Sequence, residues 1–167
     1  NASEALGQIV DLQVLDYICG NTDRHAGNMI YQFDRNQDGK VVLKGIKGID
    51  NDCAFGTPNI EKGHKIQQMV NPEDMQFIRE DMLKKIVSLK KDEIDMQLSH
   101  YRLTDEEKDA VWKRVENVRE AVKQKKITVI GKDHWELNSF KFTKTEKDNY
   151  LKNMKDKMKI LLLGSGG

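Results

Sequence analysis

The sequence predicts an α+β domain, mainly helical, with one β-hairpin at its centre. Apolar residues recur at spacings of three and four over several long segments, the periodicity of helices with one buried face. Two short runs rich in β-branched and aromatic residues, Met29–Phe33 and Val41–Ile46, flank Asp34-Arg35-Asn36-Gln37-Asp38-Gly39-Lys40, a run of residues that tolerate turn conformations. The longest purely apolar run, Ile160–Leu163, is far too short to span a bilayer, so no transmembrane segment is expected.

In chain order, residues 4–18 place Leu6, Ile9, Val10, Leu12, Leu15 and Ile18 at mostly helical spacing. Ser3 is read as the N-cap, and Gly20 stands where a helix C-terminus favours glycine. A polar loop over 20–28 leads into the hairpin. Residues 51–71 show no periodicity, and Gly56, Pro58, Asn59 and Gly63 mark a loop. Asn71-Pro72-Glu73-Asp74 combines a cap, a first-turn proline and two acids, and predicts one helix burying Met75, Ile78, Met82, Ile86 and Leu89. A shorter helical piece is expected over Asp92–His100. Thr104-Asp105-Glu106-Glu107 is a capping box opening a helix with Val111, Val115, Val118 and Val122 on one face. Ile127–Ile130 reads as a short strand. Thr143–Glu146 resembles a second capping box, ahead of a helix carrying Leu151, Met154, Met158 and Leu161.

The 167 residues suffice for one domain with its own core, read here as residues 1–163 followed by a flexible tail or tag over 164–167. A net charge of +1, with a third of the residues charged, argues against a general nucleic-acid binder. Two cysteines do not make a disulfide framework, which fits a reducing, cytoplasmic compartment; a secreted effector is the other reading. Cys19, His25, Cys53 and His64 match no paired zinc-ligand spacing. Asp34-x-Asn36-x-Asp38-Gly39 copies the first half of a calcium loop, yet Gly45 stands at the twelfth position and the flanks read as strands, so a hairpin turn is expected. Lys123–Lys126 and the lysines from Lys152 to Lys159 read as solvated helix faces, and Trp112 and Trp135 as core or interface anchors.

The chemistry concentrates in Gly20-Asn21-Thr22-Asp23-Arg24-His25-Ala26-Gly27-Asn28 and in Gly48-Ile49-Asp50-Asn51-Asp52. An aspartate is followed five positions later by an asparagine, and a second acidic cluster ends the second strand. That pattern fits phosphoryl transfer: one carboxylate orients the attacking hydroxyl, while an amide oxygen and another carboxylate hold the metal ions that bridge the nucleotide phosphates. A hairpin between the two clusters would fold Asp50 back beside Asp23 and Asn28.

Asp23-Arg24-His25-x-x-Asn28, with Gly48-Ile49-Asp50 and Phe55-Gly56, resembles the atypical kinases of the phosphatidylinositol 3-/4-kinase clan. Related patterns occur in HipA-like bacterial kinases and Golgi casein-kinase-like secretory kinases. The match covers residues 4–56, and the Asp-Arg-His order reverses that of ordinary protein kinases. The resemblance implies the C-terminal lobe of a protein-kinase-like fold, using ATP and Mg2+ or Mn2+. It makes Asp23 the catalytic aspartate, Arg24 a loop brace and His25 a structural or electrostatic member of the loop. Asn28 and Asp50 become the metal and cofactor ligands. Asp52 stands where lipid kinases have the glycine of Asp-Phe-Gly; it and Asn51 either add metal ligation or bond to the loop backbone.

No glycine-rich phosphate loop precedes Asp23, so the resemblance also implies a fragment whose N-terminal lobe lies elsewhere in the same protein. The chain alone would then bind ATP weakly and show no significant kinase activity. The acceptor could be a protein or lipid hydroxyl, or a small molecule. Two other readings stay open: a pseudokinase or partner-binding domain without turnover, and a metal-dependent phosphohydrolase or nucleotide-binding module using Asp23, Asp50 and Asp52.

Overall fold

The computed structural model describes residues 2–24, 26–56 and 71–131. Its first element, α1 (Ala2–Cys19), is the axis of the fold. One side of α1 sets Ile9 against Met29 and Ile46 of the hairpin. The other sets Val14, Tyr17 and Ile18 into the main core, with Val111, Val115 and Val118. A helix buried on two sides needs a broad apolar surface, which is why its apolar positions fit a single stripe only loosely. Ser3 lies inside the first turn rather than capping it, because the helix already includes Ala2.

The hairpin pairs β1 (Met29–Arg35) with β2 (Val41–Gly48) antiparallel, each strand two residues longer than the sequence suggests. A register shift at Gln32/Phe33 against Gly45/Leu43 leaves Lys44 as the extra residue of a bulge. The half-calcium motif is spent on the turn. Asn36 Oδ1 accepts from Asp38 N at 3.0 Å and Lys40 N at 2.9 Å, and Gly39 takes φ +75°.

The helix expected from 71 to 89 is broken. Pro72–Met75 form a single 3-10 turn, Gln76 sits at φ +63°, and β3 (Phe77–Arg79) intervenes before α2 (Glu80–Ser88). β3 pairs in parallel with β4 (Thr128–Ile130), so a second small sheet exists that the sequence did not predict, apart from its β4 strand. Met75, Ile78 and Ile86 are buried all the same. Spacings of three and four cannot separate one helix from a strand followed by a helix when all three anchors point into one core.

Next come α3 (Lys91–Leu98), close to expectation, and α4 (Asp105–Lys123) with its capping box formed: Glu107 N donates to Thr104 Oγ1 at 3.2 Å and Thr104 N to Glu107 Oε2 at 2.8 Å. Arg119 of α4 lies 4.9 Å over the Trp112 ring and donates to the α2-terminal carbonyls of Ile86 and Leu89. Trp112 packs against the main core as an anchor. Lys123 closes α4, and Lys126 pairs with Glu73 at 3.8 Å. None of the described helices is long and apolar enough to cross a membrane. His64, Trp135, the second capping box with its helix, the second lysine stretch and the 164–167 tail lie outside the described residues.

Candidate functional site

The site begins where α1 ends. Asn21 N donates to Asp16 O at 2.9 Å and Gly20 N to Tyr17 O at 3.1 Å, with Gly20 at φ +65°, a Schellman closure. That turn aims the next residues across the end of the hairpin. Asn21 then holds the loop from inside: its Oδ1 accepts from Asp23 N at 3.0 Å, and its Nδ2 donates to Asp16 Oδ1 at 3.3 Å.

Arg24 is the hub. Its Nε and Nη2 fork onto Asp16 Oδ2 and Oδ1 at 3.0 and 2.9 Å. Its Nη1 donates to Asn28 O at 2.7 Å and Ile49 O at 2.8 Å, and Nη2 also reaches Asn51 Oδ1 at 2.6 Å. Those are five bonds for the five N–H groups a guanidinium owns, so none is left over. Arg24 and Asp16 are both buried, 3% and 4% exposed, where their attraction is little screened but their desolvation is costly. Burial pushes the Asp16 carboxyl above its ordinary value, against the pull of Arg24 and Asn21. The guanidinium presses on Gly48, where an added Cβ would stand 2.7 Å from Nη2; only glycine allows that approach.

The loop and the hairpin's far end meet as the polar pattern requires. Asn28, buried directly before β1, donates Nδ2 to Asp23 O at 2.9 Å and lies 3.5 Å from Asp23 Oδ2. Ile49 N donates to Asn28 O at 2.9 Å, so Asp50 follows immediately on a residue bonded to Asn28. Asp50 takes φ +53°, a conformation few side chains tolerate, and it is exposed, as is Asp52. Beyond it, Thr22 N and Oγ1 each lie 3.4 Å from Cys53 O, and Phe55 N donates to Cys19 O at 2.6 Å. The segment after Asp50 is thus stitched to the loop after α1.

Of the expected site residues, Asp23, Arg24 and Asn28 are joined by hydrogen bonds, with Arg24 in the bracing position, and Asp50 stands between Ile49 and Asn51, which are bonded to that loop. Asn51 is spent on that brace. Asp52 follows two residues after Asp50 and is exposed, and His25 lies outside the described residues. Sequence reasoning missed Asp16, Asn21 and the reason for Gly48. Burial holds the Cys19 thiol up at about 11, with the Asp16 charge adding to it, so Cys19 is a packing residue.

Among the described residues no three His, Cys, Asp or Glu side chains converge to hold a metal. Asn28 adjoins the Asp23 carboxylate, and Asp50 follows the residue bonded to Asn28 O. With Nδ2 of Asn28 committed to Asp23, its Oδ1 is the acceptor left for a ligand, and Asp50 supplies an exposed carboxylate. Such hard oxygens suit Mg2+ or Mn2+, and a Mg2+ that keeps its waters and takes substrate phosphates needs only one or two protein ligands. A cavity of about 570 Å3 lies between α1 and the end of β2, walled by Leu12, Leu15, Ile46 and Phe55; Arg24 and Asn51 also face it, whereas Asp23, Asn28 and Asp50 do not. No protein-family model matches this chain, and neither does any curated protein or solved structure.

Proposed function

We propose that this chain carries the acceptor and metal-binding half of an atypical kinase site, on what would be the C-terminal lobe of a protein-kinase-like fold. One observation carries the reading: the five-bonded Arg24 ties the Asp23–Asn28 loop to Ile49 and Asn51, on either side of Asp50. Two polar clusters distant in sequence are thereby held in one place by a group that spends three of its five hydrogen bonds on them and the other two on Asp16. A loop that merely braced itself would not require the second cluster.

In this reading Asp23 accepts a hydrogen bond from the acceptor hydroxyl and draws its proton as the γ-phosphate is transferred. Asn28 Oδ1 and the Asp50 carboxylate would hold Mg2+ or Mn2+. When bound, the metal neutralises charge on the nucleotide phosphates. Asn28 also fixes Asp23 through its Nδ2, so one side chain would serve both halves of the reaction. The three-carboxylate hydrolase reading lacks a convergence of Asp23, Asp50 and Asp52 to support it.

The test uses the intact protein, γ-labelled ATP, Mg2+, and protein and inositol-lipid acceptors. Asp23→Asn and Asp50→Asn are each expected to lower label transfer by about a hundredfold or more. Transfer unchanged in Asp50→Asn would remove the reading. Label appearing only as free phosphate would move it to hydrolysis.

A further inference from the structure

The geometry points to Asp16 as a positioning residue for the cation pair: through Arg24 it sets the separation of Asn28 and Asp50 and so the affinity of the site for a divalent cation. This rests on the proposed kinase-site reading. Asp16 never touches the proposed ligand position. It lies one turn before the end of α1, the helix that packs into both cores, and its two oxygens take the Nε/Nη2 edge of Arg24. With that edge fixed, the Nη1 hydrogens can reach only where Asn28 O and Ile49 O stand, 2.7 and 2.8 Å away. Those carbonyls belong to one proposed ligand and to the residue before the other.

Three features make this a geometric device and not only a buried ion pair. All five guanidinium donors are used, so a rotated Arg24 would leave buried N–H groups unmet. Gly48 removes the side chain that would otherwise hold the plane away from the hairpin. Asn51 closes the far end at 2.6 Å from Nη2, so the brace grips the chain on both sides of Asp50. A charged strut of this kind is expected to act on ligand affinity through orientation.

The test titrates MnCl2 into the full 167-residue chain and reads bound Mn2+ by water-proton relaxation, beside thermal unfolding. Asp16→Asn keeps the shape but offers one acceptor oxygen where the fork needs two, and is expected to weaken Mn2+ binding about tenfold to a hundredfold while the chain is still folded. Val118→Ala, a core cavity on α4 that removes none of the hydrogen bonds of Asp16 or Arg24, is expected to lower the melting temperature and leave Mn2+ affinity unchanged. Wild-type affinity in Asp16→Asn overturns the inference and spares the kinase-site reading. A matching loss in Val118→Ala also overturns it, because affinity would then follow stability alone. If Asp16→Asn does not fold, the exposed Asn51→Ala decides: severalfold weaker binding supports the strut, and wild-type binding overturns it. Mn2+ binding that is absent in the wild type, or that survives Asp50→Asn, removes the cation reading and this inference with it.

Discussion

Two buried arginines flank the end of α1, and they solve the same problem in opposite ways. Arg24 meets a buried carboxylate and fills all five donors. Arg114 of α4, 5% exposed, meets only carbonyls, Ile18 O at 2.8 Å and Gly56 O at 3.3 Å, and its Nη2 has no hydrogen-bond partner. Each guanidinium lies against a glycine, Gly48 for Arg24 and Gly20 for Arg114. Arg114 is a cation set at the negative end of a helix dipole, a helix stop. Arg24 is paired with a carboxylate and tied at more points, three of them on the two polar clusters. The contrast locates the constrained part of the molecule at Arg24.

The largest expected effect follows from that difference. Arg24→Ala strands Asp16 as a buried, unpaired carboxylate and is expected to cost about 3–5 kcal/mol in urea unfolding. Arg114→Met trades two carbonyl bonds for a removed buried charge and is expected to stay within about 1 kcal/mol of wild type. Equal losses would erase the contrast.

A sharper version uses the glycines. Gly48→Ala is expected to cost about 1–3 kcal/mol, because a guanidinium held by five bonds cannot yield to a Cβ at 2.7 Å. Gly39→Ala, at φ +75° with nothing within 4 Å, should cost only the conformational penalty of about 1–2 kcal/mol. In an Arg24→Lys background the Gly48→Ala loss should shrink, since the planar fork is gone; strict additivity would show that the clash lies elsewhere.

A smaller effect concerns pH. The folded Asp16 carboxyl titrates above its ordinary 3.8, with burial as the larger cause. The folded chain therefore holds a proton there when the unfolded chain has lost it. The stability this group contributes is fully present below about 3.8 and is lost as pH rises through the folded value. Wild-type stability relative to Asp16→Asn should thus fall with rising pH across that window. The opposite slope would mean that Arg24 attraction outweighs burial. Smallest in energy is a reactivity difference: iodoacetamide should label exposed Cys53 well before Cys19, whose thiol is held up at about 11.

Much of this was legible in the sequence, and the gaps have physical causes. The hairpin announced itself because Asn36, Asp38 and Gly39 are turn formers between strand-like runs. Asp23, Asn28 and Asp50 stood out because their residue types are unusual together, and the hairpin does bring Ile49, the residue before Asp50, onto Asn28. Asp16 and Asn21 were not visible. A polar residue on a helix reads as solvent-facing unless its partner is known, and the partner of Asp16 lies beyond the helix end. Gly48 looked like a strand terminus until Arg24 was seen lying on it. The 71–89 segment was misread because the strand Phe77–Arg79 is stabilised by Thr128–Ile130, far along the chain, while local spacing favoured a helix.

The central claim, that the loop after α1 and the end of β2 form one cation-dependent site, is tested most directly by residue-resolved Mn2+ broadening in amide NMR spectra of this chain. The account predicts that Asn28, Ile49 and Asp50 broaden first, at Mn2+ levels that leave the Asp34–Asp38 turn sharp, and that Asp50→Asn abolishes the effect. Broadening that begins at the hairpin turn, or spreads evenly over the exposed carboxylates, would contradict it.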